Sequence, residues 1–128
     1  MIEPIKIESL KISDRAFLDI TQIKSKTRID TMNIICRWAF NISLSSDLPP
    51  PPFAKEDKIN KEIDWKIFAG DYEYLITALL KNRLNQDKMK ITNETMSDQL
   101  RLHVQRGLSL IAAQKNIKNI EDFIELSL

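Results

Sequence analysis

The chain has 128 residues, 43% of them hydrophobic and 29% charged, which is one domain's length with apolar content enough for a core and too much for disorder. Nineteen Lys and Arg against 18 Asp and Glu leave a net charge of only +1, so any basic face has to come from segregating charge along the chain. Two Gly argue against a turn-dense sandwich or barrel, one Cys excludes a disulfide framework or Cys-rich zinc site, and one His excludes sites needing two imidazoles. No stretch approaches the roughly 20 apolar residues of a membrane span. Glu3 and Pro4 stand where a signal peptide needs an apolar run. The expected setting is a reducing cytoplasm, with no membrane partner.

Residues 2–12, IEPIKIESLKI, alternate Ile5 and Ile7 with Lys6, then Leu10 and Ile12 with Lys11, and predict a short strand. Ser13-Asp14 reads as a helix start, because a serine oxygen accepts from first-turn amides. Phe17, Ile20 and Ile23 follow at helical spacing. A second helix is predicted from an Asp30 cap. In TMNIICRWAFNISL apolar residues cover most of the circumference and Asn33, Arg37 and Asn41 make a narrow polar stripe, and a helix apolar nearly all round needs cover on several sides. So small a chain has few elements to supply that cover, which predicts a subunit interface through Ile35, Trp38, Phe40 and Ile42. Four prolines at 49–52 exclude helix and interior strand and predict an extended spacer. The charged AKEDKINKE reads as a solvated loop or frayed helix. Alternation of Ile63, Trp65 and Ile67 predicts a second strand, closed by Gly70. Further helices are predicted over 71–84 and 94–115, with a short last helix capped by Asn119. The fold class is therefore mainly α, with a short N-terminal strand, a ribbon-helix-helix-like start and a C-terminal helical part, oligomeric. The single domain divides into strand-helix-helix at 1–44, a Pro-rich and charged linker at 45–62, and a short strand with helices at 63–128.

Catalytic signatures are missing from the sequence. There is no G-x-S-x-G, Walker loop or dinucleotide glycine fingerprint. Cys36 sits in the most apolar segment and reads as a small buried hydrophobe rather than a nucleophile. His103 lies close to Arg101 and Arg106, whose charge lowers its basicity, and reads as a surface or phosphate-facing group. The chain is expected to be no enzyme and to carry no cofactor and no metal. Charge is informative by position. Lys24, Lys26, Arg28 and Arg37 stand against Asp30 alone over 21–45, and residues 99–118 hold Arg101, Arg106, Lys115 and Lys118 with no acid. The acids collect at 56–73 and 121–125. Lys24, Lys26 and Arg28 precede a predicted helix N-terminus, whose amides favour a phosphate. These three, with Arg101 and Arg106, are the candidate polyanion-binding residues, and DNA-binding ones under the resemblance that follows. Repetition of the patch in an oligomer would multiply its field.

The segment KTRIDTMNIICRWAFNISL, with its Asn33-x-x-Cys36-Arg37-x-Ala39-Phe40 core, resembles the DndE family of DNA sulfur-modification proteins. GDYEYLITALLKNR and His103-Val104-Gln105-Arg106-Gly107 follow in the family's order. The resemblance spans roughly residues 8–126; the proline run and AKEDKINKE depart from it. It implies a DndE-like domain acting in DNA phosphorothioation as an accessory component without a cofactor. Its implied partners are duplex or nicked DNA and the other sulfur-modification proteins, and it favours a tetramer. Two other readings compete: a ribbon-helix-helix-like transcriptional regulator using Lys6 and Lys11 on a two-chain ribbon, and a scaffold of the modification complex that touches no DNA.

Overall fold

The computed structural model describes residues 5–54 and 57–114. Strand β1 (Ser9–Ser13) leads into helix α1 (Asp14–Thr27), which starts where the sequence places it: Ser13 Oγ accepts from the Ala16 amide at 3.1 Å. Helix α2 (Met32–Leu44) begins after Thr31 rather than at Asp30. Strand β2 (Ile59–Asp64) is followed by the short helix α3 (Trp65–Ala69), a 3-10 turn at Gly70–Tyr72, α4 (Glu73–Gln86) and α5 (Asn93–Ala113). Thr92 and Thr95 bond each other's backbone amides at the head of α5, satisfying two groups that the first turn leaves without helical partners. The short helix assigned to Asn119, and Lys115 and Lys118, lie outside the described residues.

The second strand lies earlier than the sequence suggests. β1 and β2 pair antiparallel with Leu10 opposite Ile63, Lys11 opposite Glu62, and a bulge after Ile12. AKEDKINKE therefore supplies part of a strand. Trp65 and Phe68 are buried while Ile67 between them is 61% exposed, the i, i+3 spacing of a helical turn rather than the alternation of a strand. The ribbon thus forms inside one chain. The two-chain ribbon needed by the regulator reading is not what β1 uses here.

α2 lies at the centre of the core. Its most extensive packing is against α5, with α3 on another side. Gly107 permits the α2–α5 approach, since a Cβ there would stand 1.8 Å from the Ala39 carbonyl oxygen. Ile35, Phe40 and Ile42 are buried within this single chain. α5 and its neighbours cover them within the chain, though Phe40 also lines an open groove beside α2. Trp38 differs, being only partly buried at the edge of the core.

Candidate nucleic-acid interface

Two groups of cations occupy different settings. The first is the turn between α1 and α2. Lys24 and Lys26 fall in the last turn of α1, and Arg28 closes the helix in the left-handed region at φ 61, its amide donating to the Lys24 carbonyl at 2.8 Å. Thr27 Oγ1 donates to the Ile23 carbonyl at 2.8 Å and accepts from the Ile29 amide at 3.3 Å, so the Thr27 side chain ties the turn to its own backbone. Thr31 then starts α2 without a side-chain cap, leaving the first amides of α2 without that acceptor. Among the described residues the one ion pair is Arg83–Asp87, so the three cations of this turn are not matched to carboxylates there. Lys24, Lys26 and Arg28 thus share the last turn and the C-terminal cap of α1.

Arg101 and Arg106 do not join them. Arg106 is committed to the C-terminal end of α2: its Nε donates to Ser43 Oγ at 2.8 Å, Nη2 to the Ser43 carbonyl at 2.7 Å, and Nη1 to the Leu48 carbonyl at 2.6 Å. Arg101 stacks over the Phe53 ring, with its guanidinium carbon 3.8 Å from the centroid. Burial lowers the pKa of both arginines. Arg83, which sequence reasoning did not single out, joins Arg106 there. It donates to the Leu44 and Leu48 carbonyls at 3.1 and 2.6 Å and pairs with Asp87 at 3.1 Å. The available signal was its place in α4 at i+7 from Ile76 and i+3 from Leu80, where the buried face calls for an apolar side chain. Carbonyls at a helix C-terminus carry the negative end of the dipole and suit cations.

His103 belongs to this network and is fully buried, which corrects the surface or phosphate-facing assignment. Its Nδ1 lies 2.8 Å from Ser43 Oγ and its ring meets Phe40 edge-on at 6.3 Å. Burial first, then the charges of Arg106 and Arg83, push its pKa down to about 4. A Ser–His pair without access to solvent has no route to a substrate. Cys36 is likewise fully buried, and burial raises its thiol to about 12, so it is a packed apolar group rather than a thiolate.

On the opposite side of α2 an open groove of about 330 Å³ runs against α4. Ile34, Trp38, Tyr72 and Leu75 line it with Arg37 and Asn41. Tyr72 and Leu75 are both more than half exposed, and the Arg37 guanidinium lies 5.7 Å from the Tyr72 centroid. Among the described residues no group of three His, Cys, Asp or Glu side chains is placed to hold a metal ion, and no helix is long and apolar enough to cross a membrane.

Comparison with curated proteins returns no match. Comparison with family models returns DndE, DNA sulphur modification protein DndE, over residues 9–119, a span that begins at β1 and runs past the end of α5. It includes the basic turn, the buried arginine network and the open groove alike. The chain belongs to the DndE family, and its role lies in DNA sulfur modification.

Proposed function

We propose that the chain is an accessory component of DNA phosphorothioation that holds duplex or nicked DNA through phosphate contacts and performs no chemistry itself. One observation carries this reading: Lys24, Lys26 and Arg28 stand together at a rigid turn, without carboxylate partners among the described residues, before the uncapped start of α2. A phosphate at that turn meets long cationic side chains and backbone amides at once. Contacts of this kind position a duplex without reading its sequence. Titration of the protein with unrelated duplexes of equal length, intact and nicked, at low salt tests it. Binding that is indifferent to sequence supports the proposal. Absence of binding to any DNA overturns it in favour of the scaffold reading, and strong preference for one operator-like sequence overturns it in favour of the regulator.

The same reading includes a homo-oligomer, a tetramer on the family resemblance, with Trp38 and the α2–α4 groove as the self-association surface. Burying such large apolar side chains contributes about 1.5–3 kcal/mol each, set against the cost of association. Light scattering at micromolar concentration should show a multiple of 14.9 kDa, reduced by Trp38→Glu. A monomer in the unaltered protein contradicts this part.

A further inference from the structure

Residues 45–54 leave the end of α2 as a strap alongside α4 and α5, and prolines at 49–52 supply no N–H with which to bond it down. Side chains from the helices do that instead. Arg83 Nη2 and Arg106 Nη1 both donate to the Leu48 carbonyl oxygen at 2.6 Å, and Arg101 stacks on Phe53. The other arms of the two arginines are fixed on α2, Arg83 on the Leu44 carbonyl and Arg106 on the Ser43 carbonyl. The end of α2 thus sets two guanidiniums so that their remaining arms converge on one oxygen. That convergence suits a charged oxygen, which binds guanidinium donors about twice as strongly as a neutral one. Charge balance points the same way, because Asp87 pairs with Arg83 alone while Arg106 has no carboxylate partner among the described residues.

We propose that the Leu48 carbonyl holds the place of a phosphate oxygen, and that the strap is a displaceable cover over a phosphate site made by Arg83 and Arg106. When the strap leaves, Arg101 loses its stacking on Phe53. Leu48 itself is 72% exposed and restrains little; buried Pro50 and half-buried Phe53 hold the strap down. The site deepens the DNA-binding reading, on which its biological ligand rests, by adding a phosphate position remote in sequence from the α1–α2 turn.

The probe is inorganic pyrophosphate, titrated calorimetrically into the full chain. Pro50→Ser with Phe53→Ala loosens the strap and should tighten binding about tenfold, since apparent affinity scales with the open fraction. Adding Arg106→Gln should remove the gain. No gain in the loosened protein, or a gain that survives Arg106→Gln, overturns the proposal. Should the loosened variant fail to show cooperative thermal unfolding, hydrogen exchange in the unaltered protein decides. Pyrophosphate should then speed exchange at the Phe53 and Ala54 amides, and unchanged exchange overturns the cover. A protein that binds no duplex yet shows the pyrophosphate gain supports this site and overturns the DNA-binding reading alone.

Discussion

The α1–α2 turn collects three basic side chains and the end of α2 two, and the protein employs them in opposite ways. At the turn, Lys24, Lys26 and Arg28 flank two helix ends and have no carboxylate within ion-pair distance among the described residues. At the end of α2, Arg83 and Arg106 are spent on carbonyl oxygens, and Arg101, further back on α5, is spent on an aromatic ring. The difference follows from burial. A guanidinium taken out of water must have its donors satisfied, and the C-terminal carbonyls of α2 are the acceptors at hand. Cationic character in the sequence is therefore a poor guide to a polyanion surface until burial is known. Arg106 and Lys24 look equivalent as letters and are opposites in the fold.

The comparison breaks most sharply if the buried arginines prove dispensable. Arg83→Met leaves Asp87, whose side chain is only 5% exposed, without its partner. Uncompensated buried charge of this kind costs about 3–5 kcal/mol, and urea unfolding should show a loss of that size. A change below 1 kcal/mol would place Arg83 with the surface cations.

Next in size is the pH dependence from His103, whose folded pKa of about 4 lies below its ordinary 6.5. The unfolded chain binds a proton between those values and the folded chain does not. Stability from this residue is therefore complete above pH 6.5 and declines as pH falls toward 4, by about 3 kcal/mol in all. His103→Gln should flatten that slope in urea midpoints measured from pH 7 to 4. An equal slope in the variant would assign the acid sensitivity elsewhere.

The smallest stability effect belongs to the turn. Lys24→Glu with Lys26→Glu should change unfolding free energy by no more than about 1 kcal/mol, allowing for the favourable place of cations in the last turn of α1. A larger loss would mean that the turn, like the end of α2, needs its cations for the fold.

Much of this architecture is legible in the sequence, and what is not has physical reasons. Ser13 announces α1 because capping is local chemistry, and both it and the 20/23 spacing carry through to burial of Ile20 and Ile23. β2 is hidden because it is held by backbone pairing to β1, with only Ile63 half-buried along its length; without a buried face, no alternation is written into the residues. Trp65 and Ile67 imitate a strand for the same reason in reverse, two apolar letters of which only one is buried. The circumference of α2 correctly signals cover on several sides. It does not say whose, and α5 reaches Ile35 and Phe40 because Gly107 lets two backbones meet. Basicity near His103 is readable from Arg106, whereas the contribution of Arg83, twenty residues away in sequence, requires the fold.

The central claim is that DNA phosphates meet the α1–α2 turn, while in the closed fold Arg83 and Arg106 hold the strap. Its most direct test is the salt dependence of duplex binding by the Lys24→Glu/Lys26→Glu protein, with Lys88→Glu/Lys90→Glu, a reversal of two exposed cations between α4 and α5, as control. Each lost phosphate contact lowers the log–log salt slope by about 0.9 on duplex DNA. The first variant should therefore bind all sequences more weakly with a slope shallower by about 1.8, and the control should change far less. Unchanged affinity and slope in the Lys24/Lys26 variant, with the oligomeric state intact, would contradict the account.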